Sequence, residues 1–573
     1  MNPSPPVLDR QAAGAQERNP DEIVVCMNAA KLLDSLHYAF SNRYTVVTEL
    51  LQNARRAKAS RVAVDYDPAT QTLAVRDDGI GIADWQQLVT VGASGWDATV
   101  VRDEHALGMG FMKSLYSARR CTVQSRARMI AFDTAAALRQ RPIEVRDAAA
   151  GAETSVTLEG VLLPEFARRV AVLASAFPIP VVCNGAVLPR PLALDARAYV
   201  ATAIGQVHLA GTEDGRATTA LLLVLQGLVV YGDARLDRDG NVVHLDARRF
   251  RARLPDRDML VDEAEAVQQV EVVLKALWRD RLAEAKRTLA SETFVARFFA
   301  AAVTWGASDL LADVPLLPGR LFARIAGYPV HEGGGDAEYL QPLPGLVRQE
   351  QFASGELRAV MLPAADRSSF AYWMFAKAKG LLVLTQTWGV GAGHWLWEHV
   401  RALDERPVAV SIIGARVRTR LHGQWVAPEV VLCATYRVRL DGEVAELTEQ
   451  ALAWSDGGPG GPALIVVPDG ERSGAAVLQC SSYRDEDDHW CAEPADHDRA
   501  ALARLIGRLR AHDPTEAMRS LLGELRLEHY PCLQGRTFSL QVGAGHGTHQ
   551  VRLVAGPTAD GAARGSLLGP AGV

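Results

Sequence analysis

The stretch Thr45–Ala59, TVVTELLQNARRAKA, decides how this chain is read. Apolar residues at positions 46, 47, 50, 54 and 57 recur at helical spacing, which predicts a helix over Tyr44–Lys58 with one face packed on a sheet. Glu49, Asn53 and Arg56 follow at intervals of four and three and project from one neighbouring face. A carboxylate one turn from a carboxamide suits hydrolysis. The first can position or deprotonate a water, and the second can hold a hard cation through its carbonyl oxygen. Solvated helix faces carry the same pairing, so its meaning rests on what lies downstream.

Two strand patterns come next, Arg61–Tyr66 and Thr72–Val75, joined by a turn at Asp67-Pro68. The second leads into Ala74–Ile82, AVRDDGIGI, where Asp77 ends a strand and glycines follow at 79 and 81. That pattern sets a carboxylate beside backbone that a flat ring can approach closely, and the carboxylate can accept a hydrogen bond from an exocyclic amine such as adenine N6. Read alone, it is equally a tight turn after a strand. Further on stand Val91–Gly95, VGASG, and Leu107–Phe111, LGMGF, the latter opening an apolar helix. Glycines at a helix start expose unpaired backbone N–H groups, a natural seat for phosphate.

In order, these segments resemble the boxes of the GHKL ATPase superfamily, and most closely those of the heat-shock-protein-90 chaperones. Ser35–Ala57 is similar to the helices that end in the chaperone pattern E-L-x-x-N-A, and Asp77–Ile82 to D-x-G-I-G. Gly92–Gly95 resembles the glycine-serine loop, and Gly108–Phe111 the G-V-G-F of the lid. The resemblance covers about 140 residues, roughly a quarter of the chain. It implies a Bergerat-type α/β sandwich that binds ATP with Mg²⁺. Glu49 would be the general base and Asn53 the magnesium ligand. Asp77 would bind the adenine amine above Gly79 and Gly81, with Thr154 supporting adenine through water. Gly92 and Ser94 would belong to the site, and Gly108, Gly110 and Phe111 would offer amides to the phosphates. Arg253–Leu260 is similar to the chaperone segment whose arginine reaches the γ-phosphate, which implies that Arg257 is a catalytic sensor. The residues alone read equally as a surface loop, and the arginines of 248–253 as an anionic-ligand patch.

Three departures from the family pattern stand out. Arg56 takes the place of an aspartate, and is read either as a solvent-facing side chain or as extra phosphate neutralisation. His105 replaces the first glycine of the lid, and Glu153 precedes Thr154 where glycine is usual.

Composition sets the outer bounds. A chain of 573 residues exceeds what one core supports, so several domains are expected. The formal net charge of −6 argues against a whole-chain nucleic-acid binder. No apolar run reaches the roughly 20 residues that span a bilayer, which predicts no membrane association. The longest apolar stretch, Ala220–Tyr231, is interrupted by Gln226 and Gly227 and reads as paired strands. The first residues lack the apolar core of a signal peptide. The seven cysteines include no C-x-x-C pair, so free thiols and a reducing, cytoplasmic setting are expected.

The expected fold is α+β, in five segments: a disordered tail over 1–20, the ATP-binding domain over 21–165, a middle, transducer-like domain over 166–300, an α/β region of unassigned role over 301–555, and a disordered tail over 556–573. Strands are predicted at Cys121–Ser125, Ser155–Leu158, Pro180–Cys183 and Gln206–Leu209, and helices at Ala29–His37, Glu263–Leu289 and Arg499–Leu525. Glycine-rich loops are placed at Gly333–Gly335 and Gly457–Pro462. The function implied is that of a chaperone-like ATPase whose hydrolysis drives lid closure, with a protein client and homodimerisation. The alternatives are a MutL- or MORC-like ATPase acting on nucleic acid, or a defence or regulatory ATPase with a C-terminal effector or sensor.

Overall fold

A computed structural model describes residues 28–555 except 37, 39, 41, 94, 105–109, 233–238, 255, 329–338, 364–369, 387–388, 404–405, 457–462, 469–482, 512 and 544–547. The fold is mixed α+β with several sheets. The chain divides into two compact units, Met1–Leu316 with Trp388–His394, and Leu317–Thr387 with Trp395–Val573. Among the described residues no helix is long and apolar enough to cross a membrane.

The first unit begins with helices α1 (Ala29–Leu36) and α2 (Thr45–Arg56), then the hairpin β1 (Val62–Asp67) and β2 (Thr72–Asp77). Three short helices follow, α3 (Trp85–Leu88), α4 (Ala98–Glu104) and α5 (Met112–Ser117). Strands β3 (Arg120–Ser125) and β4 (Arg128–Asp133), helix α6 (Thr134–Leu138), and strands β5 (Val145–Asp147) and β6 (Thr154–Glu159) come next. Helix α7 (Phe166–Ala174) then leads to β7 (Val181–Cys183) and β8 (Ala186–Val187). These strands form one eight-stranded sheet in the order β5-β4-β3-β6-β2-β1-β7-β8. All neighbours run antiparallel except β1 and β7, whose parallel pairing sets Val62 against Val181.

Alternation explains the layering. Val62 and Val64, Leu73 and Val75, Cys121 and Val123, and Val156 and Leu158 lie on one buried face of the sheet. They meet the apolar stripe Val46, Val47, Leu50, Leu51 and Ala54 of α2, with Met112, Leu115, Phe166 and Val170 from α5 and α7. Period 2 on the strands and period 3.6 on the helix thus close one core layer. The strand read at Pro180–Cys183 as part of a second domain belongs, as Val181–Cys183, to this first sheet. Its parallel crossover needs α7, which period alone does not assign to a sheet.

A second, five-stranded sheet comprises β9 (Val200–Thr202), β10 (Gly205–His208), β11 (Leu221–Leu225), β12 (Leu228–Tyr231) and β13 (Asn241–Leu245), in the order β12-β11-β13-β10-β9. The Gln226-Gly227 turn between β11 and β12 has positive φ at both residues, as a tight hairpin demands. Helices α8 (Glu263–Thr288) and α9 (Ser291–Thr304) complete the unit.

The second unit carries a mixed five-stranded sheet and a separate antiparallel sheet built on the long pair Val408–Arg420 and Glu429–Leu440. The helix read at Arg499–Leu525 is two helices, Ala492–Arg510 and Pro514–Glu524. Pro514 cannot continue a helix but starts one well, and Asp513 caps the new start by accepting from the Thr515 amide at 2.9 Å. The glycine-rich loops at 333–335 and 457–462 lie outside the described residues.

Candidate functional site

A cavity of about 440 Å³ opens between α2 and the C-terminal end of β2, within the size range of small-molecule sites. Asp77 marks one end. It closes β2 and faces Thr154, the first residue of β6, in the sheet register. Its Oδ1 accepts the Gly79 amide at 3.0 Å. Gly79 runs against the end of α2, where a Cβ would lie 2.6 Å from Ala57 Cβ and 2.7 Å from the Ala57 carbonyl oxygen. No larger residue fits there, and the same carbonyl accepts the Ile80 amide at 2.9 Å. Ser125 Oγ, at the end of β3, accepts the Ile82 amide at 3.0 Å and shares a hydrogen bond of 2.9 Å with Thr154 Oγ1. Arg126 donates to the Ile80 carbonyl at 2.8 Å. The loop after Asp77 is therefore held by α2, β3 and β6 together. Burial pushes the Asp77 carboxyl above its usual range, against the Gly79 amide, and the charges of Asp78 and Glu153 add to the rise.

The other end is basic. Glu49 is only 4% exposed and accepts from Arg257 Nε at 2.8 Å in a buried ion pair. Arg257 adopts φ 55°, a left-handed conformation unusual for a side-chain-bearing residue, and its amide donates to the Arg253 carbonyl at 2.9 Å. Asp256, beside it, accepts from the Asn42 amide at 3.3 Å and from the Thr45 hydroxyl. The segment around Arg257 is thereby pinned to the first turn of α2. The β11–β12 turn is tied to the same helix, since Gln52 Nε2 donates to the Gln226 carbonyl at 2.9 Å. Gly110 lies against Glu49, and a Cβ at that position would sit 2.1 Å from Glu49 Oε2.

Arg55 and Arg56, in the last turn of α2, grip Glu104 at the end of α4. Arg55 donates with Nη1 and Nη2 at 2.9 and 2.5 Å, and Arg56 with Nε at 2.9 Å. Burial pushes the Glu104 carboxyl up, but the two guanidiniums overcome it and hold the group below the usual range. Burial, then the positive charge of Arg257, pull Arg56 down, although a guanidinium stays protonated at neutral pH.

Of the residues singled out in the sequence, Glu49, Asn53, Asp77, Gly81, Gly110, Phe111, Thr154 and Arg257 line this one cavity. Gly79 backs its wall through the contacts with Ala57. Gly92 does not belong to it. The chain turns after α3 so that Ala93, Gly95 and Trp96 face the Asp77 cavity, while Gly92 lines a separate apolar one with Trp85 and Val91. Ser94, His105 and Gly108 lie outside the described residues. Arg56 is 7% exposed and on the cavity wall, which rules out the solvent-facing reading. Arg257, equally buried, is not on a surface loop. Arg248, Arg249, Arg251 and Arg253 are not among the cavity residues, and Arg249 donates instead to the Ala203 carbonyl at 2.6 Å.

Sequence reasoning missed Ser125, Arg126, Glu104 and Asp256. Ser125 ends a strand that was read correctly, but its partner Thr154 lies 29 residues away and only the sheet register brings them together. Among the described residues no group of three or more His, Cys, Asp and Glu side chains could hold a metal. Among the described residues Cys121, Cys183 and Cys433 are buried, Cys491 is partly buried and Cys532 is exposed. Comparison with protein-family models and with curated proteins finds no match for this chain.

Proposed function

We propose that this protein binds ATP in the cavity between α2 and β2 and hydrolyses it to ADP and phosphate, on a Bergerat-type fold of the GHKL kind. One observation carries the reading. Residues as far apart as Glu49 and Arg257, picked out as separate motifs for one nucleotide, line a single cavity of fitting size. Its two ends also match the two ends of the ligand. The Asp77 carboxylate offers an acceptor to the exocyclic amine of adenine, flanked by Gly81, Ile82 and Val156 where a flat ring can lie. The opposite end offers Arg56 and Arg257 to the phosphates.

In the chemical step a water oxygen bonds to the γ-phosphorus, the bond from that phosphorus to the β–γ bridging oxygen breaks, and ADP departs. Glu49 takes the water's proton. Its pairing with Arg257 orients the carboxylate, and Arg257 turns to the charge that grows on the transferring phosphoryl group. Asn53, on the cavity wall, would hold Mg²⁺ through its side-chain carbonyl oxygen. Such an ion neutralises phosphate charge when bound. Because Gln226 ties the second sheet to α2 and Asp256 ties the segment that follows it, the nucleotide state can be passed on to that sheet and to a protein client.

The test is calorimetric titration of the full chain with ATP and ADP, beside the Asp77→Asn variant. The amide turns a donor towards the adenine amine, a buried mismatch of about 1–3 kcal/mol or more, so ATP affinity should fall by about 10–100-fold or more. Wild-type affinity in Asp77→Asn would refute the proposed ligand pose.

A further inference from the structure

We infer that Arg56 is the residue by which this site selects a phosphate-bearing nucleotide over the bare nucleoside, its Nη2 donating to a phosphate oxygen while its Nε stays on Glu104; the inference rests on the ATP reading above. Arg56 is buried on the cavity wall beside Glu49, Asn53 and Arg257. A guanidinium has five N–H donors in a fixed fork. Nε is used on Glu104, yet Nη2 is buried and has no hydrogen-bond partner among the described residues. Buried charged donors are almost always paired, so an orphan of this kind on a cavity wall points to a partner that arrives from outside the chain.

The neighbouring carboxylates are already engaged. Glu49 Oε1 accepts from Arg257, and both oxygens of Glu104 accept from Arg55. Three guanidiniums, those of Arg55, Arg56 and Arg257, thus share two carboxylates in these ion pairs, which leaves the Arg56 fork with charge and donor capacity to spare. An anionic oxygen is the chemical group that answers both the spare charge and the spare donor. The grip of Arg55 on Glu104 matters as well. It fixes the carboxylate that holds Arg56 Nε, so the Arg56 fork is oriented before the ligand binds and loses little side-chain freedom on binding. The nucleoside end of the cavity gives no such demand for an anion, because its marker is the carboxylate of Asp77.

Full-length wild-type, Arg56→Gln, Arg56→Lys and Glu104→Gln proteins are titrated with ATP and with adenosine in magnesium buffer. Wild type should prefer ATP. In Arg56→Gln, ATP affinity should drop by about 10–100-fold while adenosine affinity stays within about twofold, because a charge-assisted bond to phosphate is lost and nothing at Asp77 changes. Unchanged adenosine binding also reports that the variant is folded at the site. Arg56→Lys should recover part of the loss, as a charge without the fork. Glu104→Gln, whose amide oxygen can still accept from Arg56 Nε, should keep ATP affinity within about threefold of wild type, because removing a carboxylate near the phosphates offsets a looser hold on the fork. Equal losses for ATP and adenosine in Arg56→Gln, or no loss for either, would overturn the inference, as would a fall in Glu104→Gln matching that of Arg56→Gln. A wild-type protein that binds neither ligand would instead overturn the ATP reading itself.

Discussion

The two ends of the cavity are built in different ways. The Asp77 end is assembled from strand termini of one sheet: β2, β3 and β6 bring Asp77, Ser125 and Thr154 together through antiparallel register. The Glu49 end is assembled from α2 and from segments 48 to 211 residues away, through Arg56–Glu104, Glu49–Arg257 and Thr45–Asp256. The carboxylates differ accordingly. Asp77 has no cationic partner among the described residues and is pushed up, whereas Glu104 is held down by two guanidiniums. A carboxylate left uncompensated is available for a ligand, and a carboxylate fully paired is available for architecture.

The contrast predicts that chemistry can be destroyed at the Glu49 end while affinity survives. Glu49→Gln should lower hydrolysis by about 10²–10⁴-fold with ATP affinity within a fewfold, in single-turnover assays. Glutamine keeps an acceptor for Arg257, whereas Glu49→Ala strands that buried charge and costs on the order of 3–5 kcal/mol of stability. Equal turnover in Glu49→Gln and wild type would remove Glu49 from catalysis.

Arg257→Ala should lower turnover by about 10²-fold, again with little change in affinity, because the charge it meets develops only in the transition state. A chain cut near residue 160 is no substitute for this variant. A stop there removes β7 and β8, exposes the edge of β1, and deletes Asp256 from the start of α2. Full activity in Arg257→Ala would move the sensor role to another residue.

Gly110→Ala should reduce turnover by roughly tenfold, since the new methyl would displace the Glu49 carboxylate and a small misplacement of a catalytic group is costly. An unchanged rate would mean that the Glu49–Gly110 contact relaxes without consequence.

The smallest effect is on stability, and its sign differs between the ends. The folded state holds Asp77 above its ordinary value, so the stability tied to it is present at low pH and lost as pH rises through the raised value. Asp77→Asn should therefore melt at the wild-type temperature or a degree or two higher at neutral pH, on the order expected for a fraction of a kcal/mol. Glu104 behaves in the opposite sense, contributing stability above its ordinary value that is lost as pH falls through the lowered one. Glu104→Gln should thus destabilise at neutral pH and converge with wild type in acid. Thermal melts over a pH series check both, and parallel curves for the two variants would erase the distinction between the ends.

Sequence by itself determined the local parts. Period 3.6 marked α2 and its buried stripe, alternation marked β1, β2, β3 and β6, and glycines after Asp77 marked a close backbone approach, because each depends on neighbours within a few residues. The Asp513-Pro514 break went unread although its signal was local, and Gly92 was assigned to a cavity that it does not line. Tertiary structure decided the rest. It turned Val181–Cys183 into a parallel partner of β1, buried Arg56 and paired it with Glu104, and carried Arg257 onto Glu49 across 208 residues. No local pattern encodes such pairings, because the attraction between two charges depends on their distance and burial in the folded chain, and both are set only once the sheet and α2 have closed over the core.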